Sequence, residues 1–185
     1  MPLTVASKRK KVETILAQYP NALILDVTSH GTLPWVKFSP FYPHGNIPVP
    51  YSPGYVSATV EGIWQGLKVF EHADVDLSKF SIVNMKGLKR SIRSYGKVRG
   101  HRAGVASERL LSYHDARYTI YLPAYKWVLD HSLQEEIAEL RPLSQTQFIV
   151  LLDYETNMDI ENVSKPLSHA ALIVRYIAGN WPQSM

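Results

Sequence analysis

The chain has 185 residues, 45% hydrophobic and 19% charged, with 20 Lys and Arg against 16 Asp and Glu. That apolar content fills a core and is too high for a disordered chain. Cys is 0, which excludes disulfides, zinc–thiolate sites, iron–sulfur clusters and cysteine nucleophiles. No apolar run approaches the roughly 18 residues of a membrane span. Lys8, Arg9, Lys10 and Lys11 follow the few apolar N-terminal residues, the reverse of a secretory leader. A soluble, cytoplasmic protein with no membrane partner is expected.

No repeat, low-complexity tract or Gly/Ser linker divides the chain, so a single domain over 1–185 is the economical reading. Val12, Ile15, Leu16 and Tyr19 have helical spacing, and Pro20 and Asn21 end that helix over 10–19. A short strand is expected over 22–28. An aromatic, Pro-rich loop follows, about 30–57, with six prolines that forbid regular helix. Its Phe41 and Tyr42 are among the side chains too costly to leave in water, so the loop is expected to build a site.

Residues 58–71 read as a helix with Ser57 or Thr59 as N-cap. On it Glu61, Gln65 and Lys68 fall at i, i+4 and i+7, on one face, with Trp64 beside the apolar stripe. Further helices are expected at 86–95, 106–112, 123–131 and 134–140, a strand at 147–152, and a last helix opened by Ser164 and Pro166, running to Ile177. The class is α+β, predominantly helical with a few short strands.

Four constellations carry chemistry. A Lys dehydrated beside a carboxylate can attack a carbonyl carbon and form a Schiff base, which makes Glu61, Gln65 and Lys68 the first candidate; the plain alternative is a solvated face with a weak ion pair. Second, seven cations from Lys86 to Arg102, with no acid between them, suit phosphates if helical, Lys89, Arg90 and Arg93 foremost. Third, seven histidines lack any HxH, HxxxH or HExxH spacing, so no metal is expected; His44 and His169 are the two most open to a ligand contact. Fourth, Asp153 and Asp159 follow the apolar strand, where carboxylates can bind ribose hydroxyls or simply form an acidic turn.

The segment Phe38-Ser39-Pro40-Phe41-Tyr42, followed by Glu61, Gln65 and Lys68, resembles the NADAR family pattern: F/L-S-N-F-Y/A, then S-x-E-H-x-x-Q-A-x-K-F, with Phe70 one place beyond the pattern's last position. Lys165 to Arg175 is similar to that family's closing helix. Pro40, Gly62 and Ser168 stand where the pattern has Asn, His and Gly. The resemblance implies a glycohydrolase that cleaves the N-glycosidic bond of an ADP-ribosylated nucleobase or related ribosyl-base nucleotide, without a cofactor. It assigns the Schiff-base lysine to Lys68. The chemistry then suggests Glu61 as proton shuttle, with Gln65, Phe41, Tyr42, Trp64, Lys89, Arg90, Arg93, Asp153 and Asp159 around the substrate. A module of the same fold that binds a nucleotide or nucleic acid without catalysis is the alternative.

Overall fold

The structure, a computed structural model, describes residues 3–183. In chain order it has β1 (Leu3–Ser7), α1 (Val12–Gln18), β2 (Leu23–Asp26), a 3-10 turn (Trp35–Phe38), β3 (Ile47–Pro48), β4 (Val56–Ser57), α2 (Val60–Gly66) and β5 (Lys68–Phe70). A second 3-10 turn (Leu77–Ser81) leads to α3 (Ile92–Tyr95), β6 (Val98–Arg102), β7 (Leu110–Leu111) and α4 (Tyr113–Ala116). A π turn (Arg117–Tyr121), α5 (Leu122–His131), α6 (Gln134–Thr146), β8 (Ile149–Asp153) and α7 (His169–Ile177) complete it. The fold is α+β, mostly helical with short strands. Two compact units form, one from 3–39 with 133–183 and the other from 40–132.

In the first unit β8 is the centre of a parallel sheet ordered β1-β8-β2, with Leu3 and Leu23 both opposite Ile149. Every residue of β8 is buried, which fits an apolar run covered on both faces. Ala6, Ile15, Val150 and Leu152 form a core beneath it, and Tyr19 stacks on Phe148 at 5.1 Å. Each fully buried Ile or Leu there contributes about 1.5–3 kcal/mol. Strand β1, too short to show alternation, has no counterpart in the sequence reading. The last helix begins at His169 with Ser168 as cap, its hydroxyl accepting from the Ala171 amide at 3.2 Å, rather than at Ser164.

In the second unit β5-β6-β7 form an antiparallel sheet and β3-β4 a two-stranded ribbon inside the Pro-rich loop. Three expected helices change. The helix over 58–71 stops at Gly66, and Lys68–Phe70 is strand β5. Of the helix over 86–95 only Ile92–Tyr95 forms, so the continuous cationic helical face does not exist. The segment 106–112 is a turn followed by β7. Conversely, the helix expected at 123–131 begins ten residues earlier, because α4, the π turn and α5 run on without a break from Tyr113 to His131.

Candidate active site

The second unit holds the candidate site, and α2 starts it. Thr59 caps the helix by accepting from the Gly62 amide at 2.8 Å, and the Glu61 amide donates to the Pro40 carbonyl at 2.8 Å. Glycines make the helix fit. A Cβ on Gly62 would lie 2.6 Å from the Lys79 carbonyl oxygen, and one on Gly66 would lie 2.4 Å from Phe80. The first contact accounts for the glycine at position 62: the backbone of the second 3-10 turn occupies the space a side chain would need.

Glu61 and Gln65 are buried, 7% and 5% exposed. Gln65 Nε2 donates to Glu61 Oε1 at 2.9 Å, and Gln65 Oε1 accepts from the Arg90 amide at 3.0 Å. The amide is thereby fixed in one orientation and aims the carboxylate. Arg90 caps the end of α2. Its Nη1 donates to the Gln65 carbonyl at 3.2 Å and the Lys68 carbonyl at 2.7 Å, and its Nη2 to the Asp74 carbonyl at 2.8 Å. Its guanidinium also lies over Phe70 and Tyr95. Arg90 is therefore 8% exposed and serves the chain's own carbonyls, not a phosphate.

Lys68 reaches the site from β5. The chain turns at Leu67, and Lys68 Nζ comes to 5.8 Å from the centre of the Trp64 ring. Burial pulls the amine below its usual proton affinity; Glu61 pulls it back up, while Arg90 and Lys89 lower it further. No ion pair forms at Lys68 among the described residues. The result is a half-buried amine that gives up its proton more readily than a solvated lysine, as a nucleophilic lysine must. Directly opposite Lys68, across β5 and β6, is His101. Its imidazole is 0% exposed and lies 3.8 Å from the Trp64 ring, 33° from parallel. Burial first, and then the charge of Lys68, push its pKa down to about 3, with the Trp64 backbone opposing weakly. His101 is neutral.

Tyr113 and Tyr121 meet Trp64 edge-on, each at 5.6 Å, and Arg117 lies over Tyr113 at 5.0 Å. Tyr121 and Arg117 come from the π turn, a helix defect common at functional sites. Sequence reading missed His101, Tyr113, Arg117 and Tyr121. A 3.6-residue period cannot register a π turn, and no spacing marked His101. Of the expected residues, Glu61, Gln65, Lys68 and Trp64 come together, joined through Lys89, whose Nζ lies 5.6 Å above Phe41. Tyr42 lies beside His44 at 4.9 Å, and Arg93 is exposed on α3.

Asp153 and Asp159 belong to the other unit. Asp153 Oδ2 accepts from Ser168 Oγ at 2.7 Å and pairs with His169 Nδ1 at 2.9 Å. His169 Nε2 lies 2.9 Å from the Val27 carbonyl. Both imidazole nitrogens face acceptors, which requires the charged ring. Burial would raise the Asp153 carboxyl, but the His169 charge and the hydrogen bonds from His169, Ser168 and Ala170 hold it at about 2. Burial would lower His169, and Asp153 outweighs it, so its pKa rises. The carboxylate expected to meet ribose is thus 5% exposed and engaged by the end of α7. Asp159 is exposed and accepts from the Glu161 amide at 3.0 Å.

Fold and site together define an α+β protein with a half-buried lysine beside a buried carboxylate and an aromatic wall. The chain belongs to the DUF6939 family, a family of unknown function whose family model matches residues 7–173. No curated protein and no solved structure matches it. Among the described residues no helix is long and apolar enough to cross a membrane, and no group of three or more His, Asp or Glu is arranged to hold a metal.

Proposed function

We propose that Lys68 is the nucleophile of a NADAR-like N-glycosidase, a cytoplasmic enzyme acting on an ADP-ribosylated nucleobase or a related ribosyl-base nucleotide. The observation that carries this reading is the half-buried Lys68 amine, without an ion pair among the described residues, beside a carboxylate that Gln65 holds in place. The amine adds to C1 of the ribose. The C1–N bond breaks, and its electron pair leaves with the base nitrogen. Glu61 takes the proton that Nζ loses and delivers it to the departing base. Ring opening, with a proton passing from Nζ to the ring oxygen, gives an imine between Nζ and C1. Water then adds to C1, and the amine leaves, freeing ADP-ribose. The net reaction consumes one water per base released.

Trp64 and Phe41 supply flat apolar faces for the base, and Lys89 supplies charge for the diphosphate. Base release from an ADP-ribosylated guanine oligonucleotide tests the reading. Lys68→Arg keeps the charge but cannot form the imine, and is expected to reduce release to background. Glu61→Gln is expected to slow it about 100-fold or more, and both variants are expected to melt within a few degrees of the parent. If both merely unfold, or Lys68→Arg turns over normally, the lysine is not the nucleophile. A non-catalytic binding module is favoured by the exposed cations Lys86, Lys89, Arg93, Lys97 and Arg99. It requires binding that falls steeply with salt and no base release.

A further inference from the structure

Among the described residues, three buried side-chain atoms around Lys68 lack a hydrogen-bond partner: Arg90 Nε and both ring nitrogens of His101. His101 is wholly buried, and among the described residues neither Nδ1 nor Nε2 has a hydrogen-bond partner. The Trp64 backbone bears on the ring only outside hydrogen-bonding geometry. Buried polar atoms without partners are penalised, and an apolar ring of the same shape would be neutral or stabilising in their place. Packing therefore gives no reason for an imidazole here. Its position does. It stands across from Lys68, under the indole of Trp64, and Trp64 is itself only half-buried. The ring that seals the imidazole from solvent thus reaches solvent.

We propose that His101 is a substrate-binding residue of the Lys68 site, uncovered when Trp64 turns aside, and that one of its ring nitrogens hydrogen-bonds a hydroxyl of the ribose whose C1 meets Lys68. A neutral imidazole offers one donor and one acceptor, and a hydroxyl can meet either. This assignment rests on reading the site as one for a ribosyl-base nucleotide, and it adds a residue that holds the ribose.

The test uses the full chain with His101→Phe and His101→Gln, and ADP-ribose as probe. His101→Phe is expected to melt at the parent temperature or higher and to bind ADP-ribose about tenfold or more weakly by calorimetry, the equivalent of one lost hydrogen bond. His101→Gln, which keeps a donor and an acceptor, is expected to recover binding to within about threefold of the parent. Parental affinity in His101→Phe overturns the proposal. So does failure of the parent to bind ADP-ribose at about 1 mM. If His101→Phe does not fold, the Gln variant decides: affinity about tenfold weaker than the parent overturns the proposal. Glyceraldehyde with cyanoborohydride, which carries no ribose, reports Lys68 separately. Loss of that label from the parent sinks the imine reading and leaves the His101 comparison to be read from affinity alone.

Discussion

His169 and His101 are both buried, in different units, and one is charged while the other is neutral. His169 directs one nitrogen at a carboxylate and the other at a carbonyl, so it is held protonated. His101 faces an indole and an amine and bonds neither, so it is held neutral. The first arrangement is what a fold does with a buried ionisable group that it uses for structure. The second leaves polar atoms unsatisfied beside a half-buried lysine, which is a property of sites rather than cores.

Acid separates the two most sharply. The unfolded chain protonates His101 near pH 6.5, whereas the folded chain resists until about pH 3. Stability tied to this group is present above pH 6.5 and lost as pH falls toward 3, by up to about 5 kcal/mol. The Asp153–His169 pair behaves differently. The Asp153 contribution, about 2 kcal/mol, is kept above the ordinary carboxyl value of 3.8 and lost only as pH falls toward 2. The His169 contribution is kept below pH 6.5 and lost as pH rises through its elevated folded value. Between pH 6.5 and 4, the amide protection factors, corrected for the intrinsic exchange rate, are therefore expected to fall over 40–132 while those of β8 and α7 hold. In His101→Phe that acid sensitivity is expected to vanish. Equal acid sensitivity in the two regions would erase the distinction.

Asp153→Asn attacks the comparison from the other side. It leaves the His169 charge buried without its partner and is expected to cost about 3–5 kcal/mol in urea unfolding at pH 7. Parental stability would mean that His169 is neutral. Gly62→Ala, which drives a Cβ toward the Lys79 carbonyl, is expected to cost about 1–3 kcal/mol and to disturb the placement of Glu61. A shift below about 0.5 kcal/mol would show that α2 has room to move.

Much of the frame was legible. The apolar run before Asp153 announced the buried central strand, and Val12, Ile15 and Tyr19 announced the first helix. Thr59 was readable as a cap because a hydroxyl before an apolar turn satisfies free amides. The face joining Glu61 to Lys68 was legible as a set of residues but not as a helix. Phe80, packed on Gly66, and Arg90, bonding the last carbonyls, end α2 one turn early, and both lie far along the chain from Glu61. Arg90 looked like a phosphate ligand for the same reason: sequence shows a charge but not the carbonyls that surround it. His101 carried no local signal, since its meaning comes from a cross-strand register and from Trp64 above it.

The proposed chemistry turns on an imine between Lys68 and the sugar. The most direct measurement is borohydride reduction of the protein incubated with ADP-ribose, followed by intact mass and peptide mapping. The expected result is one adduct per chain at Lys68, absent in Lys68→Arg. Adducts scattered over the exposed lysines, or none while ADP-ribose is bound, would contradict it.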